Sequence, residues 1–169
     1  MNPRLASLLA IIALCALYRV LPHPWNVSPV AAMALFAGAH FGSRTLGLAV
    51  PVLAMVASDW VLGFHDTMAF VYGALMLTTA LGWLLKGHIK ALPVLGACLA
   101  GSVAFFLITN TGVWLVGSYY PAGIEGLMQS LSAGLPFFQQ SLLGNLFFTA
   151  LLFGGFHALE RQFPRLRAQ

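Results

Sequence analysis

Six apolar runs, separated by short breaks, dominate this sequence. They cover about residues 4–21, 29–43, 46–63, 67–86, 91–117 and 136–159. A helix needs about 20 apolar residues to cross a hydrocarbon core about 30 Å thick, so six crossings use nearly all of the 169 residues. The pattern predicts an all-α integral membrane protein with six transmembrane helices, folded as a single transmembrane domain over residues 1–169.

The composition excludes an ordinary soluble domain. Hydrophobic residues make up 60% of the chain and charged residues only 7%, against about 25% charged residues in soluble domains. The net charge of +4 comes from basic residues scattered at the ends of apolar runs. We therefore interpret them as topology signals beside the lipid bilayer, and we expect no nucleic acid as a partner.

The breaks between the runs carry further local signals. Ser28 followed by Pro29 predicts a capping residue and a first residue for the short second helix, because the missing N–H of proline falls where helical donors have no partner. The break at 118–135 is long enough to hold a short interfacial helix.

The basic residues also predict the orientation, because Lys and Arg are enriched in cytoplasmic loops. Only Arg19 falls on one side of the six-helix arrangement. The other side holds Arg4, Arg44, Lys86, Lys90, Arg161, Arg165 and Arg167. This bias predicts that both termini are cytoplasmic and that the loops at 22–28, 64–66 and 118–135 face outside.

Polar and aromatic residues are concentrated in the outer halves of the helices and in the outer loops. A polar side chain in lipid is costly unless it is paired or faces a cavity, so this distribution predicts a pocket that opens outward and is closed below. A mostly apolar pocket with a few convergent polar groups suits an organic solute. The candidate ligand-binding residues are His23, Trp25, Asn26, Asp59, His65, Tyr72, Asn110, Trp114, Tyr120, Gln139 and Asn145.

Several of these residues have a structural alternative. Trp and Tyr also form the aromatic belts that mark the membrane interface. Asp59 either contacts a ligand or forms an ion pair with Arg19, which the topology places at the same depth. Asn110 and Asn145 either line the pocket or join helices 5 and 6 through hydrogen bonds.

Two histidines and two stripes of small residues remain open in the same way. His23 and His65 lie in outer loops, where they are solvated, cap the pocket or coordinate a metal centre in the ligand, such as a corrin cobalt. Ala6 and Ala10 on the first helix, like the small residues of the second, let another helix approach closely. That other helix belongs either to this chain or to a second membrane subunit.

No motif for catalysis, ATP hydrolysis or metal binding is present in the sequence. There is no Walker A pattern, HExxH spacing or pair of neighbouring carboxylates within an apolar run. Cys15 and Cys98 lie inside apolar runs without a CxxC or Cys/His spacing. We therefore predict no catalytic residue, metal site or cofactor.

Three stretches together carry a resemblance to known proteins: residues 26–39 (NVSPVAAMALFAGA), 57–65 (ASDWVLGFH) and 109–114 (TNTGVW). They resemble a family of small uncharacterised bacterial membrane proteins. The layout of the whole chain is similar to that of the substrate-binding S components of energy-coupling factor (ECF) transporters, which have six helices, internal termini and a second helix rich in small residues.

This resemblance implies a multi-pass protein of the bacterial inner (cytoplasmic) membrane that captures a vitamin or related micronutrient from outside. It further implies that a transmembrane coupling protein and two cytoplasmic ATPases act as partners in transport. Carried over to this chain, the docking face for the coupling protein consists of Ala6 and Ala10.

Two other functions remain open at this point. An intramembrane enzyme would require Asp59 and His65 to meet in a closed cavity. A small scaffold or assembly protein would have no sizeable pocket on the outer side.

Overall fold

The computed structural model describes residues 2–167, and every regular element in that part of the chain is a helix. This confirms the predicted all-helical class. The helices are α1 (Pro3–Val20), α2 (Val30–His40), α3 (Arg44–Leu62), α4 (Met68–Leu84), α5 (Ala91–Val116) and α6 (Ile124–Gln162), followed by a 3₁₀ turn (Pro164–Leu166).

Four of these helices, α1, α3, α5 and α6, are long and apolar enough to cross a membrane. The other two are shorter, with 11 residues in α2 and 17 in α4. Because a span takes about 20 residues, the membrane-like character rests on the four long helices.

Helix α2 forms the centre of the bundle. All of its residues are buried, and it contacts each of the other five helices. Its closest approach is to α4, where a Cβ added to Gly38 would lie 2.1 Å from the Thr79 carbonyl oxygen and one added to Gly82 would lie 2.4 Å from that of Leu35. The two glycines therefore let the α2 and α4 backbones meet directly.

The remaining helices form a ring around α2 in the order α1, α3, α4, α5, α6. The ring closes where Tyr18 of α1 packs edge-on against Phe148 of α6, with 5.1 Å between the ring centroids. The small residues of α2 therefore serve internal packing, which was one of the two alternatives for that stripe.

The two ends of the bundle differ in charge. At one end, which we call the basic end, Arg4 forms an ion pair with Glu160, Arg44 lies over the Trp83 ring, and Lys86 donates a hydrogen bond to the Gly42 carbonyl. The loops at 21–29, 63–67 and 117–123 lie at the other end, which we call the opposite end.

The sequence prediction was wrong about the start of the last helix, which begins at Ile124 rather than at 136. Pro136 lies inside α6, and contacts with α5 hold the preceding turns. Ser130 donates a hydrogen bond to the Asn110 carbonyl, and Gly134 packs against the Asn110 side chain. The third loop is therefore much shorter than expected.

The predicted cap of the second helix was also wrong. Helix α2 begins at Val30, and Pro29 flanks it, with no side-chain hydrogen bond at the cap. The Ser28 Oγ atom is buried and has no hydrogen-bond partner within residues 2–167.

Candidate functional site

A charged cluster joins α1, α3 and α4 near the opposite end. Arg19 Nη2 lies 2.6 Å from Asp59 Oδ1, and Arg19 Nη1 donates to the Ser58 hydroxyl at 2.5 Å. The Tyr72 hydroxyl donates to Asp59 Oδ2 at 2.7 Å. Asp59 is 1% exposed, so its negative charge is balanced inside the protein by the guanidinium.

The two oxygens of the Asp59 carboxylate have different partners. Asp59 Oδ1 forms the ion pair with Arg19 and has no further hydrogen-bond partner within residues 2–167. Oδ2 is held by the Tyr72 hydroxyl. The cluster thus confirms the ion pair that the sequence offered as one alternative for Asp59, and it fixes the C-terminal part of α1 against α3.

Two cavities open beside this cluster at the opposite end. One has a volume of about 220 Å³ and includes Arg19, Asn26, Ser28 and His65 in its walls. The other, of about 230 Å³, lies between α5 and α6 and includes Thr109, Asn110 and Phe138. Both share the walls Asn26, Phe105, Ser141 and Asn145.

The shared wall is built from α5, α6 and the loop before α2. Ser141 and Asn145 lie one turn apart on α6, so their side chains share one face. Asn145 Nδ2 donates to Ser102 Oγ of α5 at 3.1 Å. Asn145 therefore does both things that the sequence allowed: it joins helices 5 and 6 and lines a cavity.

Backbone geometry brings Asn26 to the same place. Asn26 has a φ of 58°, the one positive value at a non-glycine residue within the described part of the chain. Asparagine tolerates this left-handed conformation better than most residues. The chain can therefore turn there from α1 into α2 while the amide of Asn26 borders both cavities.

A family model described as a family of unknown function (DUF6580) matches residues 1–166. The chain belongs to this family. No curated protein and no solved structure matches the chain. The stretches that carried the resemblance noted above all lie within the matched range.

Four of the predicted site residues border the two cavities of this family member: Asn26, His65, Asn110 and Asn145. Asn110 Nδ2 donates to the Phe106 carbonyl of its own helix. The Asn110 side chain thus bonds within α5, whereas that of Asn145 bonds from α6 to α5. His65 Nδ1 lies 2.9 Å from Thr67 Oγ1.

Other predicted site residues lie elsewhere. Asp59 and Tyr72 form the charged cluster behind Arg19 and are absent from the cavity walls. The side chains of Trp25 and Gln139 are exposed. The His23 ring contacts the Leu21 carbonyl and Tyr18.

The aromatic residues at the third loop hold that loop in place. Trp114 donates from its indole nitrogen to the Pro121 carbonyl at 3.1 Å. Tyr120 is half-buried in the same loop. Neither residue is among the walls of the two cavities.

Sequence reasoning missed part of the cavity wall: Ser28, Phe105, Ser141 and Phe138. The spacing of Phe137, Ser141 and Asn145 at one-turn intervals on α6 was a usable signal, because side chains four residues apart share a face. Arg19 was assigned only as the partner of Asp59, yet it also borders the cavity.

The walls define the chemistry that the cavities can accommodate. Arg19 brings a guanidinium, Asn26 and Asn145 bring amides, and Ser141 brings a hydroxyl. Phe105 and Phe138 add flat apolar surface. A group of three or more His, Cys, Asp or Glu side chains able to hold a metal ion is absent from residues 2–167.

Proposed function

We propose that this chain is a six-span protein of the bacterial cytoplasmic membrane that captures a small organic solute from the outside at the opposite end of its bundle. In this proposal both termini are cytoplasmic, as in the S components of ECF transporters. The proposal combines the positive-inside bias with the position of the two cavities.

The charge distribution supports the orientation. Seven of the eight Lys and Arg residues belong to the basic end, and Arg19 is the exception. Arg19 is neutralised by Asp59, so it exerts little pull on the topology. Because Lys and Arg are retained on the cytoplasmic side, the opposite end and its cavities face outward.

The two short helices are compatible with six spans. At about 1.5 Å per residue, α2 is roughly 16 Å long, which is too short for a lipid-exposed span. All of its residues are buried by neighbouring helices, however. Irregular backbone at membrane depth is tolerated where protein covers it, so the segments flanking α2 can complete the crossing.

The single observation that carries the solute site is the pair of cavities sharing Asn26, Phe105, Ser141 and Asn145. Each cavity is smaller than the roughly 300–1,000 Å³ of a typical ligand site, but the two border the same four residues. Together they have the size and the mixture of aromatic and polar walls expected for a vitamin-sized solute.

The chemistry of the walls narrows the class of solute. Arg19, whose charge Asp59 already balances, the two asparagines and Ser141 favour hydrogen-bond acceptors on the solute rather than a further charged group. The phenylalanines favour a flat ring. We expect a heterocyclic or aromatic micronutrient with acceptor groups, rather than the cationic ligand that a free Asp59 would have favoured.

Transport of the captured solute would require an energy source from partner proteins. The exposed side chain of Ala10 and the half-buried side chain of Ala6 lie on the outer surface of α1. Small residues there would let a transmembrane coupling protein approach closely, with cytoplasmic ATPases attached to it.

The alternative functions gain less from the structure. Asp59 bonds to Tyr72 and pairs with Arg19, while His65 contacts Thr67, so no acid and base pair forms between Asp59 and His65. A scaffold would not need the cavities at the opposite end. A solute site is therefore the function that these contacts favour.

The test is mass spectrometry of small molecules that co-purify with the protein from native membranes in mild detergent. The informative variants are Ser141→Leu, which fills the shared wall, and Asn26→Gly, which removes the amide but keeps the left-handed backbone accessible. The controls are Gln139→Ala and Trp25→Ala, since both side chains are exposed near the same end.

We expect one metabolite in stoichiometric amount in the wild type and in both controls, and its loss in both cavity variants. A wild type that carries no metabolite, or a metabolite retained equally in all variants, would contradict the proposed site.

A further inference from the structure

A further pocket, of about 370 Å³, lies at the basic end. It is bounded by the start of α1, the segment joining α2 to α3, and the C-terminal segment. One part of its wall is polar, with Arg4, Arg165 and Arg167 beside Asn2 and Ser43. The other part is apolar. It consists of Leu5, Leu8, Phe41 and Leu46. The pocket is thus amphipathic, and it lies at the other end of the bundle from the solute cavities.

The charge in this pocket is unbalanced. The chain has only four acidic residues, and Glu160, which pairs with Arg4, is the one at the basic end. Arg167 Nε donates to the Glu160 backbone carbonyl rather than to its carboxylate. Glu160 pairs with Arg4 alone, so the charges of Arg165 and Arg167 leave the pocket with a positive charge that an anion can neutralise.

Phosphate is the anion that fits three guanidinium groups best, because the planar donor fork of arginine matches two phosphate oxygens at once. The apolar wall decides between a soluble phosphate and a lipid. Leu46 remains 43% exposed in that wall, which a hydrated phosphate would leave uncovered. An acyl chain next to the phosphate would cover it.

We propose that this pocket binds an anionic phospholipid, with the headgroup phosphate on Arg4, Arg165 and Arg167 and the adjoining acyl chain on Leu5 and Leu46. Basic pockets between membrane helices are suited to anionic headgroups. Arg4 and Ser43 lie at or beside the first turns of α1 and α3, two helices of membrane-spanning length, so the pocket is at the level where headgroups occur.

Binding at this position would connect segments that are distant in the chain. Arg4 already donates hydrogen bonds to the Leu166 and His40 carbonyls and pairs with Glu160. A phosphate shared among Arg4, Arg165 and Arg167 would hold the C-terminal segment against α1. The lipid is therefore expected to stabilise the basic end, whether or not a solute occupies the other cavities.

The experiment is native mass spectrometry of the full-length protein after delipidation, titrated with dioleoyl phosphatidylglycerol or with dioleoyl phosphatidylcholine. The two lipids share their acyl chains, so a difference in binding reports on headgroup charge. We expect phosphatidylglycerol adducts to exceed phosphatidylcholine adducts by about tenfold or more, because juxtamembrane basic residues attract anionic lipid individually.

The variant Arg165→Gln/Arg167→Gln should lose about tenfold of this preference, while Arg165→Lys/Arg167→Lys, which keeps the charge but not the donor fork, should lose less than the glutamine variant. The matched control is Lys90→Gln/Arg161→Gln, which removes two positive charges from the same end outside the pocket walls. It should bind phosphatidylglycerol like the wild type. Leu46→Glu gives an independent readout, because a carboxylate in the exposed part of the wall should repel the phosphate.

Three results would overturn the proposal. Equal binding of the two lipids would exclude headgroup recognition. An equal loss of phosphatidylglycerol binding in Arg165→Gln/Arg167→Gln and in Lys90→Gln/Arg161→Gln would indicate a general effect of surface charge. Complete displacement of phosphatidylglycerol by millimolar inorganic phosphate would assign the pocket to a soluble anion. If the glutamine variant fails to fold, unchanged phosphatidylglycerol binding by Leu46→Glu would overturn it as well.

Discussion

Arg19 of α1 and Asp59 of α3 form an ion pair in which the Asp59 carboxylate is almost fully buried and Arg19 retains one face on the cavity wall. Asp59 therefore acts on the candidate site through Arg19. Its position holds the guanidinium toward the cavity, and Tyr72 holds the carboxylate from the other side. A substitution of Asp59 is therefore expected to change both the stability of the opposite end and the position of Arg19 in the cavity wall.

Neutralising this carboxylate should destabilise the protein. In Asp59→Asn the Arg19 guanidinium loses its counter-ion in a poorly hydrated position, and breaking a buried pair from one side typically costs about 3–5 kcal/mol. We expect a large fall in the thermal unfolding midpoint of the protein in mild detergent, measured by intrinsic tryptophan fluorescence.

Two further variants separate the charge effect from a general loss of contacts. Tyr72→Phe removes one hydrogen bond to Asp59 but leaves the ion pair, so it should cost only about 1.5–3 kcal/mol. Arg19→Met/Asp59→Leu removes both charges and should recover much of the stability lost in Asp59→Asn, since apolar replacement of a buried pair is often neutral. An Asp59→Asn midpoint equal to that of the wild type would refute the inferred role of the pair.

The contact of Gly38 with Gly82 predicts a second result. A Cβ at Gly82 would lie 2.4 Å from the Leu35 carbonyl oxygen and 2.9 Å from Gly38 Cα, so Gly82→Ala must push α2 and α4 apart. Overpacking of this kind typically costs about 1–3 kcal/mol. We expect a lower thermal midpoint and a smaller fraction of monodisperse protein after heating, measured by size-exclusion chromatography.

Gly73→Ala is the matched control for this prediction. Gly73 lies in the same helix, and a Cβ there would meet nothing within 4 Å. An alanine at a helical position with room for a Cβ is expected to be neutral or to stabilise the helix by about 0.5–1 kcal/mol. If both alanine variants behave alike, the direct backbone contact between α2 and α4 is not what limits stability.

The sequence predicted the features that depend on hydrophobicity and local charge. The apolar runs predicted the six helices. The isolated charges Arg19 and Asp59 predicted the ion pair, which was one of the two roles considered for Asp59. The start of α6 was missed because Pro136 and the Ser- and Gly-containing stretch before it resemble a loop. Only the contacts of Ser130 and Gly134 with α5 explain why that stretch is helical.

The candidate site was predictable only in part for the same reason. The sequence indicated Asn26, His65, Asn110 and Asn145, because polar residues near an apolar span require a partner or a cavity. It could not separate them from neighbours outside the cavity walls such as Trp25 and Gln139, since the direction of a side chain depends on how the helices and loops pack. The same limit applies to Ser141, which borders the cavity together with Phe105 only because of how α6 packs against α5.

The most direct test of the central proposal is chemical access to Ser141 from outside the cell. In a background with Cys15→Ala and Cys98→Ala, a Ser141→Cys variant is expressed and intact cells are treated with a membrane-impermeant maleimide. Arg161→Cys, at the basic end, is the control. The account predicts that Ser141→Cys reacts in intact cells and that Arg161→Cys reacts only in inverted vesicles. Labelling of Arg161→Cys but not Ser141→Cys in intact cells would contradict an outward-facing solute site.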